Sequence, residues 1–183
     1  YYRIAVEHIH TLADKIPNIT HTMVAELERR GLIRAVVTQN IDGLHQKAGS
    51  RNVIEFHGNV TRFYCTACKA VFDREQVERK IKQDGTPRCD CGSVIRPGIV
   101  FFGDPIPTDA LAESIELAQQ AKVFVAMGSS LAVQPAAGLP MLAKSTGASV
   151  IIVNKGKTAL DRVADHRYDV SLEDFSRGVL DAL

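Results

Sequence analysis

All four cysteines of this 183-residue chain fall in one short stretch, as Cys65-Thr66-Ala67-Cys68 and Cys89-Asp90-Cys91. No other feature restricts the possible folds as tightly. Two close pairs on separate arms bring four thiols to one point only if the chain between them doubles back. Zn²⁺ takes four thiolates in a tetrahedron, and a separation of about 20 residues between the arms fits a zinc ribbon. The second pair is one residue tighter than the usual C-x-x-C knuckle. Four cysteine ligands leave no open position for water, so an ion held here would be structural rather than catalytic. Four free thiols or two disulfides are the alternatives that spacing alone leaves open. Paired thiols at metal spacing point to a reducing compartment, and the cytoplasm is the expected location.

On either side of this stretch the chain alternates between helical and strand patterns. Ala5, Ile9, Leu12 and Ile16 recur at helical spacing, which predicts a helix over residues 1–16. Pro17-Asn18 breaks it, and Thr20 is the expected cap of a second helix ending at Gly31. Residues 33–37, 122–127 and 150–153 are short apolar runs rich in β-branched residues, which suit strands covered on both faces. Helices are expected over residues 74–82, from Thr108 or Asp109 through Ala118, over 136–144 and over 172–183. Residues 97–105 read as an extended segment between turns. The pattern predicts an α/β fold: a doubly wound parallel, Rossmann-like sheet built from residues 1–58 and 97–183. The zinc-ribbon module, residues 59–96, is inserted into it.

Polar clusters follow the strands. Residues 33–37 run into Thr38-Gln39-Asn40-Ile41-Asp42-Gly43-Leu44-His45, and His57-Gly58 comes soon after. Gly128-Ser129-Ser130 follows the strand at 122–127, and Asn154 follows that at 150–153. Ligands of open α/β sheets bind beyond the carboxyl ends of the strands, so these clusters mark a site. Imidazole is the commonest general base, which makes His57 the candidate. Each signal alone is weak: Gly-Ser turns occur in many folds, and a single histidine is more often a core or surface residue.

Together, in this order and at these separations, the motifs resemble the sirtuins, NAD-dependent protein-lysine deacylases. The resemblance spans nearly the whole chain. Residues 38–42 with Leu44 and His45 are similar to the family's nicotinamide-pocket motif, and His57-Gly58 to its catalytic histidine. The four cysteines stand where the family places its zinc. Residues 96–104 (Arg-Pro-Gly-Ile-Val-Phe-Phe-Gly-Asp) are similar to its substrate-strand motif, with Asp104 where many members have Glu. Gly128-Ser129-Ser130-Leu131, with Val133 and Pro135, matches a cofactor turn; Asn154 matches an adenosine-ribose residue; Pro17-Asn18 with His21 also fits.

The resemblance implies two cofactors, NAD and zinc, the latter on Cys65, Cys68, Cys89 and Cys91. It implies His57 as general base, with Gln39, Asn40, Ile41 and Asp42 around nicotinamide and its ribose. Gly128, Ser129, Ser130 and Asn154 would hold the adenosine half, with Lys155 and Val170 or Ser171 near the adenine. Val100, Phe102 and Gly103 would pair with an acylated-lysine protein or peptide by strand addition, opposite Leu131 and Val133. The implied products are lysine, nicotinamide and O-acyl-ADP-ribose. Nothing in residues 1–16 resembles the family's opening strand, Gly-Ala-Gly turn and cofactor loop. The resemblance therefore implies that part of the cofactor site lies upstream of Tyr1.

Charge narrows the alternatives. With 22 basic and 21 acidic residues the net charge is +1, which offers no electrostatic footprint for nucleic acid or a membrane surface. No apolar run approaches the roughly 18 residues needed to span a bilayer. The remaining alternatives are ADP-ribosyl transfer to a protein, which uses the same cofactor, and a non-catalytic zinc protein that reads acylated peptides.

Overall fold

A computed structural model describes Tyr2 and residues 10–183. The helix expected over 1–16 therefore lies mostly outside the described residues, Ala5 and Ile9 included. Its described end is a 3₁₀ turn, His10–Asp14, and Ile16 is 85% exposed rather than packed. Helix α1 (Ile19–Arg29) is capped by Asn18, not by Thr20. The Asn18 Oδ1 accepts the N–H groups of Thr20 at 3.0 Å and His21 at 3.3 Å. Thr20 is instead buried and donates its hydroxyl to the Leu172 carbonyl, which fastens the start of α1 to the C-terminal helix.

Strand β1 (Val36–Thr38) is shorter than the apolar run that predicts it, and it pairs in parallel with β2 (Val53–Glu55). One turn of helix, α2 (Leu44–Lys47), lies in the crossover. The long strand β3 (Gly58–Cys65) runs antiparallel to both β4 (Val71–Asp73) and β5 (Ile95–Ile99). Helix α3 (Arg74–Asp84) follows β4 and is capped by Asp73, whose carboxylate accepts the Gln76 N–H at 2.8 Å. Helix α4 (Thr108–Gln120) has no side-chain cap; Thr108 is its first residue, behind Pro107. Then come β6 (Val123–Met127), a 3₁₀ turn (Ala136–Gly138), α5 (Leu139–Ser145), β7 (Ser149–Val153), β8 (His166–Tyr168) and α6 (Leu172–Asp181). Strands β6, β7 and β8 form a parallel sheet in that order.

The α/β class expected from alternation is the one found, with the described strands in two parallel sheets and one antiparallel sheet. Phe56, Ala118, Leu139, Ala143 and Ala148 make the core cluster that Val37 of β1 and Phe124 of β6 also touch, so both parallel sheets pack on α4 and α5. A second cluster of Phe63, Cys65, Val77, Cys89 and Ile95 lies within the antiparallel unit. Phe56 and Phe63 are fully buried, each contributing about 2–3 kcal/mol by area. Strand β8 has no counterpart in the sequence reading. His-Arg-Tyr carries no apolar alternation, and it pairs only because β7 leaves that edge open.

Candidate functional site

Each polar cluster marked by the sequence stands at the carboxyl end of a parallel strand. Residues 39–42 follow β1, His57 follows β2, residues 128–130 follow β6, Asn154 follows β7, and Val170 and Ser171 follow β8. Parallel strands present their carboxyl ends on one side of a sheet, which is where α/β folds bind ligands.

The first group is tied together by backbone. Thr38 accepts the Phe56 N–H through its carbonyl at 2.9 Å and the Asn40 N–H through its hydroxyl at 3.1 Å. The Ile41 carbonyl accepts the Val60 N–H at 2.9 Å, so the loop after β1 is stitched to β3. Asp42 caps α2 by taking the Leu44 N–H on Oδ1 at 3.0 Å, while Gly43 turns the chain at φ 70°. His57 is half-buried, and its Nδ1 lies 3.1 Å from the Gln39 carbonyl. A carbonyl can only accept, so Nδ1 carries the proton and Nε2 keeps its lone pair. The His57 carbonyl accepts the Val100 N–H at 3.0 Å. Residue 58 must be glycine: its φ is +77°, and a Cβ there would sit 2.0 Å from the Gly98 carbonyl oxygen.

The Glu55 carboxylate, absent from the sequence reading, braces this group. It accepts the Gln46 amide at 2.8 Å, the Asn59 amide, and the Arg62 guanidinium. The only hint was its place in Glu-x-His-Gly. Two further histidines pack nearby, His21 and His45, with ring centroids 4.9 Å apart. Burial pushes both imidazoles below their ordinary range, and the Asp42 charge opposes the shift.

The second group has its own network. Gly128, at φ 61°, donates its N–H to the Val153 carbonyl at 3.0 Å and abuts Leu172, whose Cδ1 would be 2.8 Å from a Cβ. Ser129 Oγ accepts the Leu131 N–H at 3.2 Å, holding Leu131 in the left-handed region at φ 54°. Leu131 is buried, whereas Val133 is 48% exposed. Asn154 is half-buried and directs its Nδ2 at the Lys155 and Gly156 carbonyls, both at 3.2 Å, so Oδ1 is its outward acceptor. Lys155 and Val170 are exposed, and Ser171 is spent as the cap of α6, accepting the Asp174 N–H at 3.0 Å. Of the strand-addition residues, Val100 is half-buried and Phe102 and Gly103 are exposed.

The four thiols converge. Cys65 and Cys91 sulfurs are 3.4 Å apart, those of Cys68 and Cys89 3.6 Å, and all four lie within 4.8 Å of one another. All are free, which removes the disulfide alternative. A tetrahedron with Zn–S near 2.3 Å needs sulfurs roughly 3.8 Å apart, so the cluster fits that ion without rearrangement. The Lys69 backbone at φ 62° turns the first arm so that Cys68 and Ala67 N–H groups reach the Cys65 sulfur and lower its pKa. On the second arm the Ser93 N–H, with help from Cys65 and Cys89, holds Cys91 at about 6. Among the described residues, no helix is long and apolar enough to cross a membrane.

A Sir2 family profile matches residues 1–135. An NAD-dependent protein deacetylase of Thermotoga maritima is 46% identical over 182 residues, covering 99% of this chain and 74% of the relative. A second, from Sulfurisphaera tokodaii, is 44% identical, covering 99% of this chain and 71% of that one. A solved structure of Sir2 with a p53 peptide and NAD⁺ superposes at a TM-score of 0.97 with 46% identity, over 99% of this chain and 76% of the other. Sir2 bound to an acetylated peptide gives the same TM-score at 45% identity, over 99% of this chain and 76% of the other. With that breadth of match in sequence and fold, the chain belongs to the Sir2 family.

Proposed function

We propose that this chain is an NAD-dependent protein-lysine deacetylase, with acylated-lysine proteins or peptides as substrates. The observation that carries the reading is that each of the family's polar motifs stands at the carboxyl end of a parallel strand, with the Nε2 lone pair of His57 unspent. The reading divides the chain into a Rossmann-like unit, residues 1–58 and 97–183, and a zinc unit, residues 59–96.

The donor set fits a dinucleotide. Bound NAD supplies a ribose carbon able to accept the acyl oxygen as nicotinamide departs. Asp42 has one oxygen occupied by Leu44, which leaves Oδ2 to take an N–H of the nicotinamide carboxamide. Asn40 is exposed beside it and offers a donor and an acceptor. Gln39 fixes the His57 tautomer through its backbone carbonyl, and its half-buried side chain is the ribose contact of this reading. His57 would be the group that receives a ribose hydroxyl proton, at Nε2; a proton already on Nδ1 lets the ring become imidazolium without turning. The Ser129 and Ser130 hydroxyls would donate to or accept from the adenosine half and the Asn154 Oδ1 would accept from it, and Lys155 with Val170 would border the adenine. Val100, Phe102 and Gly103 add the substrate as a strand opposite Leu131 and Val133. Cys65, Cys68, Cys89 and Cys91 hold zinc, which takes no part in the chemistry. Four free thiols, those of Cys68 and Cys91 exposed, persist reduced in the cytoplasm, where we place the protein.

Mass analysis of the protein's reaction with NAD and an acetyl-lysine peptide tests this. The expected products are free lysine peptide and acylated ADP-ribose; a peptide gaining ADP-ribose instead would assign the transferase reaction. His57→Ala should cut turnover about 10²–10⁴-fold, the usual contribution of a positioned base.

A further inference from the structure

Beyond β5 the chain makes a tight turn that is unusually well fastened. Residues 101–104 close on the Asp104 N–H donated to the Phe101 carbonyl at 2.9 Å, with Gly103 at φ 90°. A positive φ at the third position is the mark of a type II turn and accounts for the glycine. The Asp104 carboxylate reaches back and accepts the Phe101 N–H at 3.0 Å. The same oxygen takes the Arg96 guanidinium, which comes from the middle of β5. The guanidinium also lies over the Phe101 ring, 4.9 Å from its centroid. Phe101 is thus held by its ring, its N–H and its carbonyl. The apex that remains is Phe102, fully exposed, and Gly103.

We propose that Arg96 is a positioning residue that holds this turn in the shape a substrate strand adds to, and so sets the affinity for acylated peptide. The proposal rests on the reading of residues 100–103 as the substrate strand. An exposed Arg–Asp pair contributes little by itself. Here the pair also orders a glycine-containing turn. Each residue that had to be ordered only on binding would weaken the peptide by about tenfold. Arginine suits the role because one planar group both stacks on an aromatic face and pairs with a carboxylate, which lysine cannot do. Asp104 completes the clasp, its short side chain reaching Phe101 N–H and Arg96 with one oxygen.

The test uses the full protein and a fluorescein-labelled acetyl-lysine peptide. Arg96→Met should raise the peptide KM, and the Kd read by anisotropy without turnover, by about tenfold. It should leave kcat within about twofold and the KM for NAD unchanged. Asp104→Asn keeps an oxygen for the Phe101 N–H but loses the charge, and should move KM in the same direction. The double variant should be no worse than the weaker-binding single, because both break one clasp. An unchanged peptide KM and Kd in Arg96→Met overturns the proposal, as does a fall in kcat at constant KM or multiplying effects in the double variant. Tenfold weaker binding in a protein that turns nothing over would support the clasp and sink the catalytic reading; turnover with unaltered peptide affinity would do the reverse.

Discussion

Replacing Gly58 by Ala strikes the turn that carries His57, the proposed base. The added Cβ would stand 2.0 Å from the Gly98 carbonyl oxygen and 3.1 Å from the Ile99 Cα, both backbone atoms that cannot swing aside. Real contacts of this kind stay beyond about 3.0 Å, so β3 and β5 must part by about 1 Å at this point. Alanine at φ +77° adds about 1–2 kcal/mol of strain. Parting the strands also stretches the Val100 N–H to His57 carbonyl bond, worth about 1 kcal/mol. The sum is a destabilisation of about 2–4 kcal/mol. A shift of that size at a reacting group costs on the order of 10²-fold in rate. Urea unfolding and deacetylation of an acetyl-peptide read the two effects. A variant with an unchanged urea midpoint and kcat/KM within about twofold of the parent would refute the claim that the close approach at Gly58 sets the His57 geometry.

Two further outcomes concern the metal and pH. Stripping zinc with a chelator should raise hydrogen exchange across residues 59–96 first and lower activity with it, because four clustered thiols then lose the ion that clamps two arms; full activity in metal-free protein would refute it. His21 and His45 are held below their ordinary range, so each binds its proton more readily in the unfolded chain. Stability should therefore be full above about pH 6.5 and decline as pH falls below it. The carboxylate of Glu26, held at about 2 by Arg29 and Arg30, titrates well below that window. Thermal unfolding at about pH 7.5 and 5.5 should show the loss, and a His21→Gln/His45→Gln variant should flatten it; an equal loss in that variant would count against the assignment.

Strands β6 and β7 were legible because each is a short unbroken apolar run; β7 is covered on both faces as that pattern predicts, whereas β6 leaves Val123 and Val125 exposed on one face. The thiol cluster was legible because metal spacing is local along each arm. What escaped the sequence was contact between distant groups. The Thr20 hydroxyl was free to cap α1 until Leu172, far along the chain, offered it a carbonyl. Arg96 and Asp104 stood in the same motif, yet nothing in their spacing says that one turn folds them together or that Phe101 lies between. Glu55 likewise looked like one more surface carboxylate until Gln46, Asn59 and Arg62 met it. Strand β8 gained its place from an open edge on β7, a property of the neighbour rather than of His-Arg-Tyr.

The position of β3 explains why a chemistry that does not use the metal would still depend on it. One eight-residue strand starts at Gly58, directly after His57, and ends at Cys65, a thiol of the cluster. Its partner β5 pairs Ile95 with Cys65 at one end and Ile99 with Gly58 at the other. Measured along β5, from Ile95 to Ile99, the two ends lie roughly 14 Å apart at an ordinary strand rise. Between Asn59 and Phe63 the register shifts, with β3 taking four residue steps where β5 takes one, and the pairs on either side of that irregularity keep the register. Slipping by one residue would turn every side chain of β5 to the opposite face, carrying Ile95 and Ile99 out of their buried positions. It would also take the Val100 N–H away from the His57 carbonyl. An ion that pins Cys65 against the second arm fixes the register at one end, and the ladder delivers that register to the histidine and the substrate strand at the other.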